Sequence, residues 1–189
     1  YGDKIYFVIN KLYEMGEIEK ASKLVAKINL ESANINKKKL EFFYLIKLNY
    51  LYSSFKLSEV CNLRLFLLEQ SINLPKNLLQ KSDIFCLTLE NKISEAKLLN
   101  SLLIESETKK DENFQKLFNF MLLSEKNNSF IPLSNIQSKD LVFLYSAMLR
   151  INELPLDKGF IEVDPLNLSI PVILSESTSM DIRIKAAHR

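Results

Sequence analysis

Three stretches of this sequence repeat one short pattern, reading GEIEKA at residues 16–21, FKLSEV at 55–60 and NKISEA at 91–96. In each stretch a turn residue is followed two places later by an aliphatic residue, and a small residue comes three places after that. The stretches are offset by 39 and then 36 residues, and self-similarity over about 20 to 50 residues is typical of stacked supersecondary units. The pattern therefore predicts repeated helical hairpins, whose apolar faces are buried when neighbouring units stack.

The segments between these turns have helical periodicity. From Asp3 to about Leu154, apolar residues recur three and four positions apart, as they do along one face of an α-helix. Only three glycines and five prolines occur in the 189 residues, which leaves little scope for β-hairpins. Residues 40–52 are apolar at 10 of 13 positions, and a helix that is apolar all round must be covered on several sides. We therefore expect an all-α fold with this helix at its centre.

At the three turns the chain resembles the tetratricopeptide family, whose hairpins carry a glycine, an aliphatic or aromatic residue and an alanine at this spacing. Gly16, Ile18 and Ala21 match all three positions, while NKISEA lacks the glycine and FKLSEV lacks both the glycine and the alanine. The family also has a glycine within the first helix of each unit, where this sequence has Ile9 and Ile84. The resemblance implies a short α-solenoid, a right-handed superhelix of antiparallel helix hairpins with a concave face for another protein. An irregular helical bundle is the alternative.

The composition changes after residue 125. Residues 126–137 are polar and contain a proline, and four of the five prolines lie in the last 60 residues. We expect a helical-hairpin repeat domain over residues 1–125 and an irregular, Pro-containing C-terminal capping segment over 126–189, in the same compact unit. The stretch 126–137 is expected to be a long loop, and FIEV at 160–163 is expected to be extended.

Residues that usually carry catalysis or metal binding are sparse. The single histidine, His188, stands next to the last residue, and with two cysteines at no ligand spacing it cannot complete a tetrahedral zinc site. Glycines for a phosphate-binding loop are lacking. We expect no catalytic residue, no metal site and no cofactor. Carboxylates near the helix ends are expected to be solvated charges: Glu14, Glu17, Glu19, Glu105 and Glu107.

The two cysteines, Cys61 and Cys86, lie among apolar residues in predicted helices. Cysteine is among the most frequently buried residue types, so we expect two buried free thiols. A disulfide between neighbouring helices is the alternative. Two cysteines in a chain of this length do not form a disulfide framework.

The charge balance bears on possible partners. The net charge is +2, which is too close to zero to mark a nucleic-acid or anionic-lipid surface. Residues 37–56 combine lysines with aromatic residues, as single-strand binding sites do, but we expect these aromatic residues in the core. No apolar run approaches the length of a membrane-spanning helix, so we expect no membrane insertion.

We therefore expect a non-enzymatic scaffold or adaptor, within a larger bacterial assembly, that holds a protein or peptide between its hairpins. Tyrosine is enriched at interfaces, which makes Tyr6, Tyr13, Tyr44 and Tyr50 the candidate partner contacts. A homo-oligomer is compatible with this interpretation. The alternatives are a non-catalytic domain of a larger enzyme and a nucleic-acid-binding helical repeat. Because the chain starts without Met and stops within a predicted helix, we interpret both ends as cuts and leave the compartment open.

Overall fold

The structure, a computed structural model, describes residues 2–30, 35–123, 133, 136 and 139–188. Within these ranges every regular element is helical and no residue lies in a β-strand. The prediction of an all-α fold is therefore confirmed for the described part of the chain. The α-helices are α1 (Gly2–Glu14), α2 (Ile18–Ala26), α3 (Lys37–Ser53), α4 (Leu57–Glu69), α5 (Leu78–Leu89), α6 (Ile93–Ser106), α7 (Glu112–Met121), α8 (Val142–Ile151), α9 (Lys158–Ile161), α10 (Ser169–Ile173) and α11 (Met180–Ala187).

Helices α1 and α2, α3 and α4, and α5 and α6 pack in pairs, each joined at the turn residue of the repeated pattern. Gly16, Phe55 and Asn91 all have a left-handed backbone, with φ of +81°, +58° and +60°. The N–H of the next residue donates to a carbonyl five residues earlier, which is the closing bond of a Schellman turn. All three bonds measure 2.9 Å: Glu17 N to Leu12 O, Lys56 N to Leu51 O, and Lys92 N to Leu87 O.

The other positions of the pattern are buried as the sequence predicts. The small residues of the three stretches are fully buried: Ala21, Val60 and Ala96. The aliphatic residues are buried or partly buried: Ile18, Leu57 and Ile93. Small side chains at these buried positions let the second helix of each hairpin approach its neighbours closely.

Helix α3 lies at the centre of the described fold, as its apolar sequence predicts. It packs against α2, α4 and α8. Its side chains Phe43, Ile46 and Leu48 are at most 1% exposed. The buried Tyr52 hydroxyl donates to Ser82 Oγ at 2.8 Å, which also ties α3 to α5.

Helix α8 lies on the side of the hairpins formed by α3, α5 and α7, and it contacts all three. Its residues 142–149 are all buried. At its end, Arg150 Nη1 donates to the carbonyl of Ser53 at 3.1 Å, and the guanidinium carbon lies 4.3 Å from the centre of the Phe55 ring. The arginine therefore supports a bulky side chain at a left-handed position and fastens α8 to the turn of the second hairpin.

The chain after α8 folds back onto the first hairpin. Asn167 Nδ2 donates to the carbonyl of Tyr13 at 2.9 Å. A Cβ placed on Gly16 would lie 2.4 Å from the Cβ of Leu166, so this position requires glycine for space as well as for its φ. The same part of the chain adds buried side chains to the main core: Leu156, Phe160, Leu168, Val172 and Ala186.

The prediction that residues 160–163 are extended is wrong. Residues Lys158–Ile161 form helix α9, because Asp157 caps its first turn by accepting a hydrogen bond from Phe160 N at 2.8 Å. Alternation over four residues is too short a signal to outweigh such a cap. The predicted loop at 126–137 lies outside the described residues apart from positions 133 and 136.

The two cysteines form a disulfide, so the expectation of free thiols is wrong. Cys61 belongs to α4 and Cys86 to α5, and these helices pack so that the two Cα atoms are 5.5 Å apart. This separation lies within the range that a disulfide spans. Burial was predicted correctly for Cys86, which is 0% exposed, while Cys61 is partly buried.

Candidate protein-interaction surface

An open groove of about 640 Å³ lies between the end of α2, the middle of α3 and the first half of α4. Its base is formed by buried apolar side chains, among them Val25, Tyr44 and Leu63. Its edge carries the exposed polar residues Glu59 and Asn62. The volume falls within the range of about 300–1,000 Å³ that ligand pockets occupy, and an apolar base with a polar edge is the usual arrangement of a protein-binding surface.

Two of the four predicted tyrosines, Tyr6 and Tyr13, meet at Phe42 of α3, with ring centres 5.1 Å and 6.3 Å from it. Both are partly buried. The Tyr13 hydroxyl accepts a hydrogen bond from Asn49 Nδ2 at 3.3 Å, and its carbonyl is bound by Asn167. Burial raises the pKa of the Tyr13 hydroxyl well above its usual value. Tyr13 is thus enclosed by the chain that follows α8.

The other two predicted tyrosines occupy different places. Tyr44 lines the groove, is 7% exposed and packs against Phe66 with ring centres 5.8 Å apart. Tyr50 is partly buried, and Lys56 Nζ lies 5.9 Å from the centre of its ring. Among the four predicted tyrosines, Tyr44 is the one that lines this groove.

The side of the hairpins formed by α3, α5 and α7 is filled by α8. Residues 142–149 of α8 are buried there. A solenoid of hairpins alone would leave this side open to a partner. The sequence pattern predicts such an open side. In the structure, the chain itself covers these helices, and the groove beside α2 and α4 lies elsewhere.

A buried ionic cluster that the sequence did not reveal centres on Lys81 of α5. Its side chain is 2% exposed, and its Nζ lies 2.8 Å from Glu107 Oε1 and 2.9 Å from Asp111 Oδ2. Tyr145 of α8 donates to Asp111 Oδ2 at 2.5 Å. The expectation that Glu107 is a solvated charge is therefore wrong, since its side chain is 8% exposed. The cluster joins α5 and α8 to the residues that connect α6 with α7.

The hydrogen bonds of this cluster keep Asp111 ionised. Burial acts to raise the pKa of its carboxyl, but the bonds donated by Tyr145, Lys81 and the N–H of Phe114 more than offset it. The pKa of Asp111 therefore lies below its usual value. Burial, followed by the nearby Asp111 charge, raises the pKa of the Tyr145 hydroxyl. Lys81 is almost wholly enclosed, and the cluster links α5 and α8 to the residues between α6 and α7.

A second buried cation, Arg64 of α4, bridges to α5. Its guanidinium nitrogens lie 2.6 Å from Asp83 Oδ1 and 2.6 Å from Glu90 Oε1. Glu90 also accepts from Lys92 at 2.8 Å, and this bond is the main cause that lowers the pKa of Glu90. Arg64 and the disulfide of Cys61 thus hold the same pair of helices. In the sequence both buried cations look like ordinary polar positions of amphipathic helices, so no signal marks them.

The basic and aromatic segment 37–56 has three of its six aromatic rings buried in the core, as predicted, while Phe42, Tyr50 and Phe55 are partly buried. Phe43 is 1% exposed and Tyr52 is 0% exposed. Lys39 forms an ion pair with Asp3. The rings of Phe43 and Tyr52 are therefore covered, whereas stacking on nucleic-acid bases requires exposed rings.

Within the described residues, no cluster of three or more His, Cys, Asp or Glu side chains is arranged to hold a metal ion. His188 is exposed at the end of α11. Of the helices described, none has both the length and the apolar character needed to cross a membrane.

Comparisons of the chain with protein-family models, with curated proteins and with solved structures gave no match. The resemblance to the tetratricopeptide family therefore depends on the residues of the three stretches alone.

Proposed function

We propose that this chain is a non-enzymatic scaffold of tetratricopeptide-like helical hairpins that binds a protein or peptide partner. The repeated unit is supported by the shared residues and spacing of the three stretches. The left-handed residue and closing hydrogen bond of the three turns also occur at Ser71 and Glu153, so this geometry alone does not mark the repeat. Since a scaffold works through a surface and not through a reacting group, the proposal requires an accessible site of suitable shape.

The observation that carries the proposal is the open groove between α2, α3 and α4. A partner segment would place apolar side chains against Tyr44 and Leu63 at its base. Glu59 and Asn62 at the edge would bind polar groups of the partner. Such a division between apolar anchors and a polar rim is what gives many protein interfaces their affinity and orientation.

Affinity capture from a lysate of the source organism, with and without nuclease, tests this proposal. The groove variant is Glu59→Lys/Asn62→Arg, which reverses a charge and adds bulk at the edge. The matched control is Glu95→Lys/Leu98→Arg, the same two positions of the repeated pattern in the third hairpin. We expect a defined protein that survives nuclease to bind the wild type and the control and to be lost from the groove variant.

Two outcomes would contradict the proposal. If the captured protein binds the groove variant as well as the control, the groove is not its site. If every complex disappears with nuclease, nucleic acid is the partner.

A further inference from the structure

Helices α10 and α11 pack together as a hairpin whose outer surface is apolar. The exposed residues are four positions apart both along α10 with its C-cap and along α11, so each pair forms a stripe on one side of its helix. Four large apolar side chains there are between 37% and 62% exposed: Ile170, Leu174, Met180 and Ile184.

Each stripe points away from the buried side of its own helix. Positions two apart in an α-helix are rotated by about 200°. Ile170 is therefore almost opposite Val172, which α10 buries, and Ile184 is almost opposite Ala186, which α11 buries. Both stripes lie on the outside of the hairpin and form an apolar patch of the kind that marks an interaction site. We call it the α10–α11 patch.

We propose that the α10–α11 patch is covered by the same patch of a second copy of this chain, with the two α11 helices antiparallel across a two-fold axis. The inference goes beyond the proposed scaffold function, since it uses neither the groove nor its partner. An interface related by a two-fold axis needs a surface that is complementary to itself.

The charges beside the α11 stripe have this self-complementarity. Asp181 and Lys185 are both exposed and lie one turn apart on the same flank of the stripe. When two identical helices pack antiparallel, a given flank of one helix lies against the same flank of the other, and the two chains run in opposite directions. Asp181 of one copy then faces Lys185 of the second copy, and the two-fold axis repeats the contact. Met180 faces Ile184 of the second copy in the same way.

Within the described residues neither Asp181 nor Lys185 forms an ion pair. The neighbouring Arg183 is turned inward and donates from Nε to the carbonyl of Ile173 at 2.9 Å. The acidic and basic groups beside the stripe are thus available to a second copy. A patch of a few apolar side chains on each copy is small beside the roughly 1,000 Å² or more that stable specific interfaces bury, so we expect a reversible dimer.

Sedimentation velocity from micromolar to millimolar concentration tests the proposal. We expect the wild-type mass to rise towards twice that of the monomer. Met180→Asp/Ile184→Asp should stay monomeric throughout. The control, Leu98→Asp/Leu102→Asp, changes an equally spaced pair on α6 that is 62% and 52% exposed, and it should dimerise as the wild type does. Circular dichroism verifies that each variant keeps its helices.

A charge exchange tests the orientation. Asp181→Lys should weaken dimerisation roughly tenfold, because it places like charges together in two symmetric contacts. The double exchange Asp181→Lys/Lys185→Asp should restore it. A wild type that is monomeric at every concentration would overturn the proposal and leave the patch to a different protein. The proposal would also be overturned if the α6 control lost dimerisation as fully as the Met180→Asp/Ile184→Asp variant does. The same holds if the double exchange did not restore dimerisation.

Discussion

At the scale of single residues, the three hairpin turns use the same backbone with different side chains. Gly16 adopts its φ of +81° freely, while Phe55 and Asn91 hold comparable left-handed angles at a cost that only glycine avoids. At Phe55 the guanidinium of Arg150 stacks on the ring and favours this conformation. The first turn differs because Leu166 lies against it.

Gly16→Ala should lower the free energy of unfolding by more than Asn91→Ala does. Asn91→Ala replaces a side chain that tolerates a left-handed backbone with one that tolerates it less. Gly16→Ala adds a Cβ to a left-handed position that had none, and this Cβ would also clash with Leu166. We expect a loss of roughly 1 kcal/mol at residue 91 and roughly 2–3 kcal/mol at residue 16. Urea denaturation of the two variants measures the difference. Equal losses would show that Leu166 does not press on the first turn.

Lys81→Met should destabilise the fold by about 3–5 kcal/mol, because it leaves two buried carboxylates without their cation. Glu107 and Asp111 are the groups left facing each other. The control Lys92→Met removes an exposed pair with Glu90 and should cost less than about 1 kcal/mol. Thermal and urea denaturation give both values, and similar losses would mean that the buried cluster contributes little.

Tyr145→Phe should move acid unfolding to higher pH. The pKa of Asp111 lies below its ordinary value of 3.8 in the folded protein, so the folded state binds this proton more weakly than the unfolded state. The resulting stability is complete above pH 3.8 and is lost as the pH falls through the lower folded pKa. Removing the hydroxyl that donates to Asp111 raises its pKa in the folded protein towards the unfolded value, so less stability depends on its ionisation. A pH titration followed by circular dichroism, with Tyr50→Phe as control, measures the shift; coincident midpoints would contradict it.

At the scale of helices, what could be predicted from the sequence was local. The turns at Gly16 and Asn91 and the burial of Ala21 and Ala96 follow from neighbouring residues, and the structure agrees. Which helix faces meet depends on contacts between distant residues, so the disulfide could not be predicted from residue types. The Lys81 cluster was missed for the same reason, as its members lie on α5, on α8 and between α6 and α7. The groove position of Tyr44 was suggested only by residue type.

Removal of the disulfide by Cys61→Ala/Cys86→Ala should lower the free energy of unfolding by about 3 kcal/mol. The reason is that the bond closes a loop of 25 residues, and opening it gives the unfolded chain more conformations. Arg64 still bridges α4 and α5 in the variant, so its helix content should not change. Urea denaturation with and without a reductant measures the effect. A wild type that is insensitive to reductant would contradict the prediction.

At the scale of the whole molecule, α8 connects parts of the chain that are far apart in sequence. Its residue Met148 is 0% exposed. The helices that α8 contacts are α3 of the second hairpin, α5 of the third hairpin and α7, which follows them. A charge in α8 should therefore disturb all of these helices together, and not only its own turn.

Met148→Lys should destabilise the described fold by more than about 4 kcal/mol, because it buries an unpaired charge. Met15→Lys, at a position that is 67% exposed, should change stability by less than about 0.5 kcal/mol. Thermal unfolding followed by circular dichroism and by tyrosine fluorescence gives both values. If only part of the helical signal is lost in Met148→Lys, α8 does not unite the hairpins.

Because α8 covers α3, α5 and α7, any separate helix would have to compete with α8 for this side of the hairpins. A helix that belongs to the same chain as its binding site has an effective concentration on the order of millimolar when its linker spans the distance. A separate helix present at micromolar concentration would have to bind this side about a thousandfold more tightly to replace α8. A partner of the proposed scaffold would therefore meet no such competition at the groove beside α2 and α4.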